Sequence, residues 1–323
     1  MKRRKFLGVF GASAVLGVPL VFAQPARKTA RIGVLSSGTP EARQEFWGKF
    51  KDGMAGLGWV EGRDVVYVYR YTRGDSARFD ALAKELVMEN PDLIYAGTQL
   101  AAMAAKRASR TIPIVFAYVS DPIDSGLVDS FARPGGNATG LSNLAIDLSA
   151  KHLELLKDIR PRLRSVTVVT AKSPPGNRQL EAARTAARTI GAEVHSLQFP
   201  LTETDSTLDA ISRSRADGVL FYAASLVERR KIAERMAKLR IPAVYTIAEI
   251  VEAGGLISYG ADIGDNYRRA ADYVDKILKG AKPGDLPVEQ PRAFELAINL
   301  KTARAQGITI PQSILLRATR VIE

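Results

Sequence analysis

From residue 31 onward the chain repeats one unit: a short apolar run rich in β-branched residues, a small polar loop, then apolar residues at helical spacing. In the first copy, residues 31–35 (R-I-G-V-L) lead into Ser36-Ser37-Gly38-Thr39-Pro40. Residues 41–57 then place Phe46, Phe50, Met54 and Leu57 on one helical face. Further strands are expected at 64–71, 92–96 and 112–117, with helices at 76–89 and 99–108 between them. Strands alternating with helices of this length build βαβ units, and so a parallel sheet covered by helices.

The alternation then repeats, with strands at 165–170, 193–199, 218–222, 243–245 and 256–259 and helices at 176–190, 203–213, 228–239 and 248–253. Between the two sets lie a turn cluster, Arg133-Pro134-Gly135-Gly136-Asn137, and a run at 139–144 that reads as a crossover strand. A helix at 266–279, a polar turn cluster at 280–285, extended segments at 286–291 and 294–298, a helix at 300–306 and a tail at 317–323 follow. A tail of that length, after a completed second half, threads back across the hinge. The expected fold class is therefore α/β: two lobes, each a parallel sheet flanked by helices. The first lobe takes residues 30–143 plus about 262–285, and the second 144–261 plus about 286–323. Several crossings keep such lobes in register while they open and close.

The N-terminus reads as an address. Lys2, Arg3, Arg4 and Lys5 precede an apolar run that reaches Ala23, is broken by Pro19, and is followed by Gln24-Pro25. This is the three-part pattern of an export signal, residues 1–23, cleaved after Ala23. An uncleaved anchor is the alternative, since the run approaches the roughly 18 residues that span a bilayer. Pro19 and the many Gly and Ala residues weaken it as a spanning helix. Residues 3–8 (R-R-K-F-L-G) also resemble a twin-arginine export signal, which implies folding before the membrane is crossed.

Composition narrows the chemistry. With 46% hydrophobic residues the 323-residue chain can fill real cores, which excludes a disordered or fibrous protein. Absence of Cys removes disulfides, thiolate metal sites, a Cys nucleophile and a lipidated N-terminal Cys. Only His152 and His195 occur, so a His-rich zinc site is excluded as well. The net charge of +12 falls to +8 once the four basic residues of the signal are set aside. The remaining Lys and Arg are scattered among acids, with no basic run and no aromatic–basic interleaving. That is a solvated basic surface, and nucleic acid is not an expected partner.

In parallel α/β sheets ligands bind at the carboxyl ends of strands. There the chain carries Ser36-Ser37-Gly38-Thr39, Gly97-Thr98-Gln99, Ser120-Asp121-Pro122, Ala171-Lys172-Ser173 and Ala223-Ala224-Ser225. Thr98 and Asp121 also suit helix caps, a purely structural role. Together these short donors and acceptors can line one cleft, and helix N-termini beside them suit a carboxylate or another anion. Enzyme motifs are missing: no phosphate-binding G-x-x-x-x-G-K-[ST], no G-x-S-x-G elbow and no calcium loop occurs. Gly56-Leu57-Gly58 ends a helix, where a dinucleotide fingerprint would have to begin one. His195 falls within a strand. His152, beside Lys151 and Glu154 on a helix, reads as an exposed surface histidine. Phe46, Trp47, Phe50 and Trp59 read as core. Neither catalysis nor a cofactor or metal is expected.

A set of longer motifs carries a resemblance. I-P-I-V-F-A at 112–117, S-D-P-I at 120–123 and G-L-V-D-S-F-A-R-P-G-G-N-A-T-G at 126–140 come first. G-G-L-I-S-Y-G at 254–260, Y-R-R-A-A at 267–271, I-L-K-G-A-K-P-G-D-L-P-V-E-Q-P at 277–291 and I-N-L-K-T-A at 298–303 follow. Over residues 31–323 the chain resembles the ABC-transporter substrate-binding proteins that include the tryptophan/tyrosine-type transport systems. The resemblance implies a type I periplasmic-binding fold whose ligand sits between two α/β lobes. It places Ser36, Ser37, Thr98, Gln99, Asp121 and Pro122 on the ligand from the first lobe, and Ser173, Ala223, Ser225 and Glu249 from the second. For an amino-acid ligand, N–H and hydroxyl donors take the carboxylate, and Asp121 takes the ammonium. Gly135-Gly136-Asn137 is expected to set the crossover and not to touch ligand. The resemblance further implies a monomer that delivers a small solute to a membrane permease served by separate ATPase subunits. Without a lipid anchor, its place is a periplasm. A ligand-sensing subunit of the same fold is the alternative.

Overall fold

The computed structural model describes residues 29–199, 203–222 and 228–323; the export signal at 1–23, Ala223 and Ser225 lie outside these residues. The first half runs β1 (Ala30–Ser36), α1 (Pro40–Gly56), β2 (Val65–Tyr71), α2 (Phe79–Met88), β3 (Leu93–Ala96), α3 (Gln99–Ala108), β4 (Ile114–Val119) and β5 (Ala138–Ser142). The five strands form one parallel sheet in the order β2-β1-β3-β4-β5.

The second half runs α4 (Ser149–Ile159), β6 (Ser165–Ala171), α5 (Pro174–Thr189), β7 (Glu193–Phe199), α6 (Thr204–Ser214), β8 (Gly218–Phe221), α7 (Arg229–Leu239), β9 (Ala243–Tyr245), α8 (Ala248–Glu252) and β10 (Ile257–Ala261). Then come α9 (Ile263–Leu278), β11 (Phe294–Asn299), α10 (Leu300–Gln306), α11 (Gln312–Leu315) and β12 (Arg320–Ile322). The second sheet has the order β12-β11-β10-β9-β8-β6-β7, so β7-β6-β8-β9-β10 repeats the strand order of the first sheet. Antiparallel β11 and short β12 extend its edge. No helix among the described residues is long and apolar enough to cross a membrane.

Period-two alternation builds the layers, because neighbouring strand residues face opposite sides of a sheet. In the first lobe Val34, Tyr95 and Val115 face a core closed by Phe46, Trp47 and Phe50 of α1 and Tyr267 and Val274 of α9. Leu35, Ile94 and Phe116 face the opposite core, under α2 and α3. The second sheet is covered likewise, by α4 and α5 on one face and by α6, α7 and α8 on the other. Helix α9 thus follows ten strands in sequence yet packs on the first sheet, beside α1. That approach is close: a Cβ on Gly53 would lie 2.6 Å from the Arg268 carbonyl oxygen. Chain crossings between the lobes follow β5 and β10, and a third follows Glu289, which still pairs with Leu141 of β5.

His152 departs from the sequence reading. It is fully buried on the inner face of α4 among Leu153, Leu155, Leu156 and Ile159, with Nε2 2.7 Å from the Tyr259 carbonyl oxygen. Its neighbours Lys151 and Glu154 face outward and pair with each other, which gives the segment a polar look in sequence. Burial pushes the imidazole down to about 4, so the ring is neutral near pH 7.

Candidate functional site

Both sheets share the strand order in which successive connections leave to opposite sides after the first strand. The crevice this opens at the carboxyl ends of strands is where α/β folds bind ligands. In the first lobe it lies between β1 and β3, and in the second between β6 and β8. The two crevices meet in one cleft of about 200 Å³, the liquid volume of roughly seven waters. Ser37, Gly97, Thr98, Gln99 and Ser120 line it from the first lobe, and Ala171, Ser173, Gly176, Tyr222 and Thr246 from the second.

Two helix N-termini flank this space. Thr98 caps α3, its Oγ1 accepting from Ala101 N at 3.4 Å, and Ser173 caps α5, its Oγ accepting from Gly176 N at 3.3 Å. The ends differ in what they leave for a ligand. Helix α5 opens with Pro174 and Pro175, which have no N–H, whereas α3 opens with Gln99 and Leu100, whose N–H groups have no carbonyl partner within the helix. Glycines allow both ends to sit this close. A Cβ on Gly97 would lie 2.6 Å from Tyr267 Oη, and one on Gly176 only 1.9 Å from the Ala171 carbonyl oxygen.

Arg43 supplies the charge. It stands in the first turns of α1, a helix started by Thr39 as cap and Pro40 as its first residue. Its Nε donates to the Ser37 carbonyl oxygen at 3.3 Å and Nη2 donates to Ser37 Oγ. Five donors are too many for these partners, so the guanidinium keeps capacity toward the cleft. Among the described residues lining the cleft, Arg43 is the only charged one. Phe79, Leu100, Ile247, Ile263 and Pro175 supply an apolar side.

Of the ten residues expected at the ligand, eight are among the described residues, and four of these line the cleft. Ser37, Thr98, Gln99 and Ser173 line the cleft. Gln99 also has a structural task, since its Oε1 accepts from Ser120 N at 3.1 Å and from Ser120 Oγ at 2.7 Å, and its Nε2 donates to the Asp121 carbonyl oxygen at 3.3 Å. Ser36 and Pro122 stand behind the wall. Ser36 is fully buried, and the Pro122 carbonyl accepts from Leu127 N and Val128 N. Asp121 faces Arg178 of α5, with Oδ2 2.5 Å from Nε, in an ion pair that joins the lobes. Burial raises the Asp121 carboxyl, and the guanidinium beside it offsets only part of that rise. Glu249 opens onto a different cavity.

Sequence reasoning missed Arg43, Tyr118, Asn143, Gln179, Tyr222 and Thr246 in the lining. Arg43 sits between apolar positions of an amphipathic helix and looks like any exposed basic residue. Its one usable signal is its place in the first turns after a strand-end loop.

The arrangement is that of a solute-binding protein, built to close two lobes on a small molecule. The chain belongs to the ABC transporter substrate binding protein family, whose model matches residues 31–322. It is 28% identical over 254 residues to a tyrosine-binding protein of Clostridioides difficile, spanning 77% of this chain and 72% of that protein. It is also similar to the solved ABC domain in complex with L-Trp from Streptococcus pneumoniae, with TM-score 0.82 and 27% identity over 91% of this chain and 100% of the other. A conserved domain protein from Vibrio cholerae gives TM-score 0.82 and 30% identity over the same shares. The fold is the type I periplasmic-binding fold, and the family captures small solutes outside the cytoplasm for ABC importers.

Proposed function

We propose that the cleft captures a small carboxylate of amino-acid size, with an apolar side, and hands it to a membrane permease. The observation that carries this reading is the charge balance of the lining: among the described residues one guanidinium and no acid, with an α3 N-terminus whose first N–H groups have no helical partner. The carboxylate lies between Arg43 and the Gln99 and Leu100 N–H groups, with Ser37 and Thr98 hydroxyls beside it. Ser173, Gln179 and Tyr222 meet the solute from the second lobe. The L-Trp and tyrosine named for the two relatives support testing amino acids first. Asp121 is engaged with Arg178, so an ammonium group rests on hydroxyl, carbonyl and amide oxygens of the wall.

The first lobe comprises residues 30–143 and about 262–289, since Leu286 and Val288 pack in its cores, and the second 144–261 and about 290–323, with closure about the crossings between them. The protein acts as a binder and not as an enzyme. It works as a periplasmic monomer exported on residues 1–23. A micromolar dissociation constant needs only about 8 kcal/mol of net binding free energy, within reach of a largely dry cleft.

A thermal-shift screen of the mature, refolded chain tests this, using amino acids and their deaminated carboxylate counterparts. A solute at 100 times its dissociation constant adds about 2.7 kcal/mol of stability and raises the midpoint clearly. A screen in which no carboxylate raises it, while neutral sugars do, overturns the reading.

A further inference from the structure

The sequence motif Tyr267-Arg268-Arg269-Ala270-Ala271 contributes no residue to the cleft lining, yet its first member touches the wall from behind. Tyr267 stands near the start of α9, fully buried in the core between that helix, α1 and the first sheet. Its ring packs against Phe46 and Trp47 of α1 and Tyr95 of β3, with centroid separations of 5.5, 5.7 and 5.6 Å.

The hydroxyl on that ring meets both halves of the anion site. Its Oη donates to the Gly97 carbonyl oxygen at 3.1 Å, in the turn that Thr98 closes as the cap of α3. A phenol hydroxyl donates once and keeps two acceptor sites. Arg43 and Ser36 both engage it, the first from α1 and the second from the end of β1. Burial raises the phenol, and these two neighbours oppose that rise. An arginine can only donate, so toward Arg43 the Tyr267 oxygen accepts. The same guanidinium stands 6.0 Å from the centre of Phe46, the ring that packs on Tyr267.

Gly97 belongs to this arrangement. A Cβ there would lie 2.6 Å from Tyr267 Oη and 3.0 Å from Ser36 Oγ, so a side chain would push the hydroxyl off its partners. The benefit is to binding. A long arginine side chain loses rotamer freedom when it is held in one place, and that cost falls on association unless the fold has met it beforehand.

We propose that Tyr267 is the positioning residue of the carboxylate site. Its hydroxyl fixes the Arg43 guanidinium and the turn that opens α3 relative to each other, so that the charge and the helix N–H groups meet on one anion. The proposal rests on the carboxylate reading given above. Through Tyr267, a helix that follows the second lobe in sequence sets the geometry of a site on the first.

Tyr267→Phe in the mature chain tests this, since it keeps the ring and removes only Oη. The first readout needs no solute: hydrogen exchange of the Arg43 Nε–H, followed by NMR, with its signal identified by its loss in Arg43→Gln. We expect exchange about threefold faster, or more, in Tyr267→Phe than in the parent. The second readout is calorimetric titration of L-phenylalanine into the parent, the two single variants and the double variant. Tyr267→Phe should weaken binding about 3- to 10-fold in the parent and no more than about twofold beside Arg43→Gln. A side chain that only supports the core would weaken binding equally in both backgrounds. Equal loss, or an Nε–H exchange rate left unchanged by Tyr267→Phe, would overturn the proposal. L-phenylalanine failing to bind the parent, or binding Arg43→Gln as tightly, counts against the carboxylate reading alone, and the exchange rate then decides the role of Tyr267.

Discussion

Arg43 is the single charge among the described residues of the cleft, and its removal is the sharpest test at the residue scale. A hydrogen bond to a charged group contributes about 1.5–3 kcal/mol, so Arg43→Gln should weaken carboxylate binding by roughly 10- to 100-fold, read by calorimetry. The variant should melt close to the parent, because Arg43 is only half-buried. Two other residues set opposing pH dependences. The folded-state pKa of His152 is depressed, from the ordinary 6.5 to about 4, so the unfolded chain takes up a proton there first and stability is lost as pH falls from 6.5 to 4. At 1.36 kcal/mol per unit this is about 3 kcal/mol. Glu249 is raised from 4.5 to about 7, so its contribution is full below 4.5 and is lost as pH rises to 7. The two oppose each other between 4.5 and 6.5, and Glu249→Gln should therefore steepen the acid loss of stability in urea titrations at pH 4.5 and 6.5. Neither group was legible in the sequence. The burial of His152 depends on which way α4 turns its apolar face, and the flanking Lys151 and Glu154 conceal it. The state of Glu249 depends on carboxylates that lie far from it along the chain.

At the scale of elements, most of the architecture could be read from periodicity and turn residues. Strand–helix alternation is local, and three strand-end loops announce their helices with Thr39, Thr98 and Ser173 as caps. The tail was less legible, since α11 is fixed by packing against remote elements and not by local pattern. The candidate site was half-legible for the same reason. Loop residues Ser37, Thr98, Gln99 and Ser173 follow from the strand-end rule, but Tyr222 and Arg43 reach the cleft from a strand end and a helix flank chosen by the closure of the lobes. Glycine tests the closeness of α5 to β6. A methyl group at 176 would overlap the Ala171 carbonyl oxygen, which is backbone and cannot swing aside. Gly176→Ala should cost about 1–3 kcal/mol of stability in denaturant melts and loosen the cap at Ser173. Gly191→Ala, which meets open space at positive φ, should lose only the strain of that backbone.

The whole molecule is two sheets of repeated order joined by three crossings, with a cleft between them. The Arg178–Asp121 pair ties the lobes from outside the cleft, supported by Arg178 facing Asp124 at 3.7 Å. Because Arg178 is about one-third exposed, screening limits its worth to at most about 1 kcal/mol. Asp121→Asn should therefore weaken solute binding no more than about fivefold and increase the radius of gyration of the unliganded chain in X-ray scattering. A large loss on Asp121→Asn with unchanged shape would instead put Asp121 on the solute. The central claim is that one small carboxylate is held by both lobes at once. The most direct test is calorimetric titration of the screened carboxylate into the parent chain, Arg43→Gln and Gln179→Ala, one cleft-lining variant from each lobe. The account predicts a 1:1 ratio in the parent, the large loss already stated for Arg43→Gln, and a loss of about 3- to 10-fold for Gln179→Ala. Undiminished affinity in both variants would contradict it.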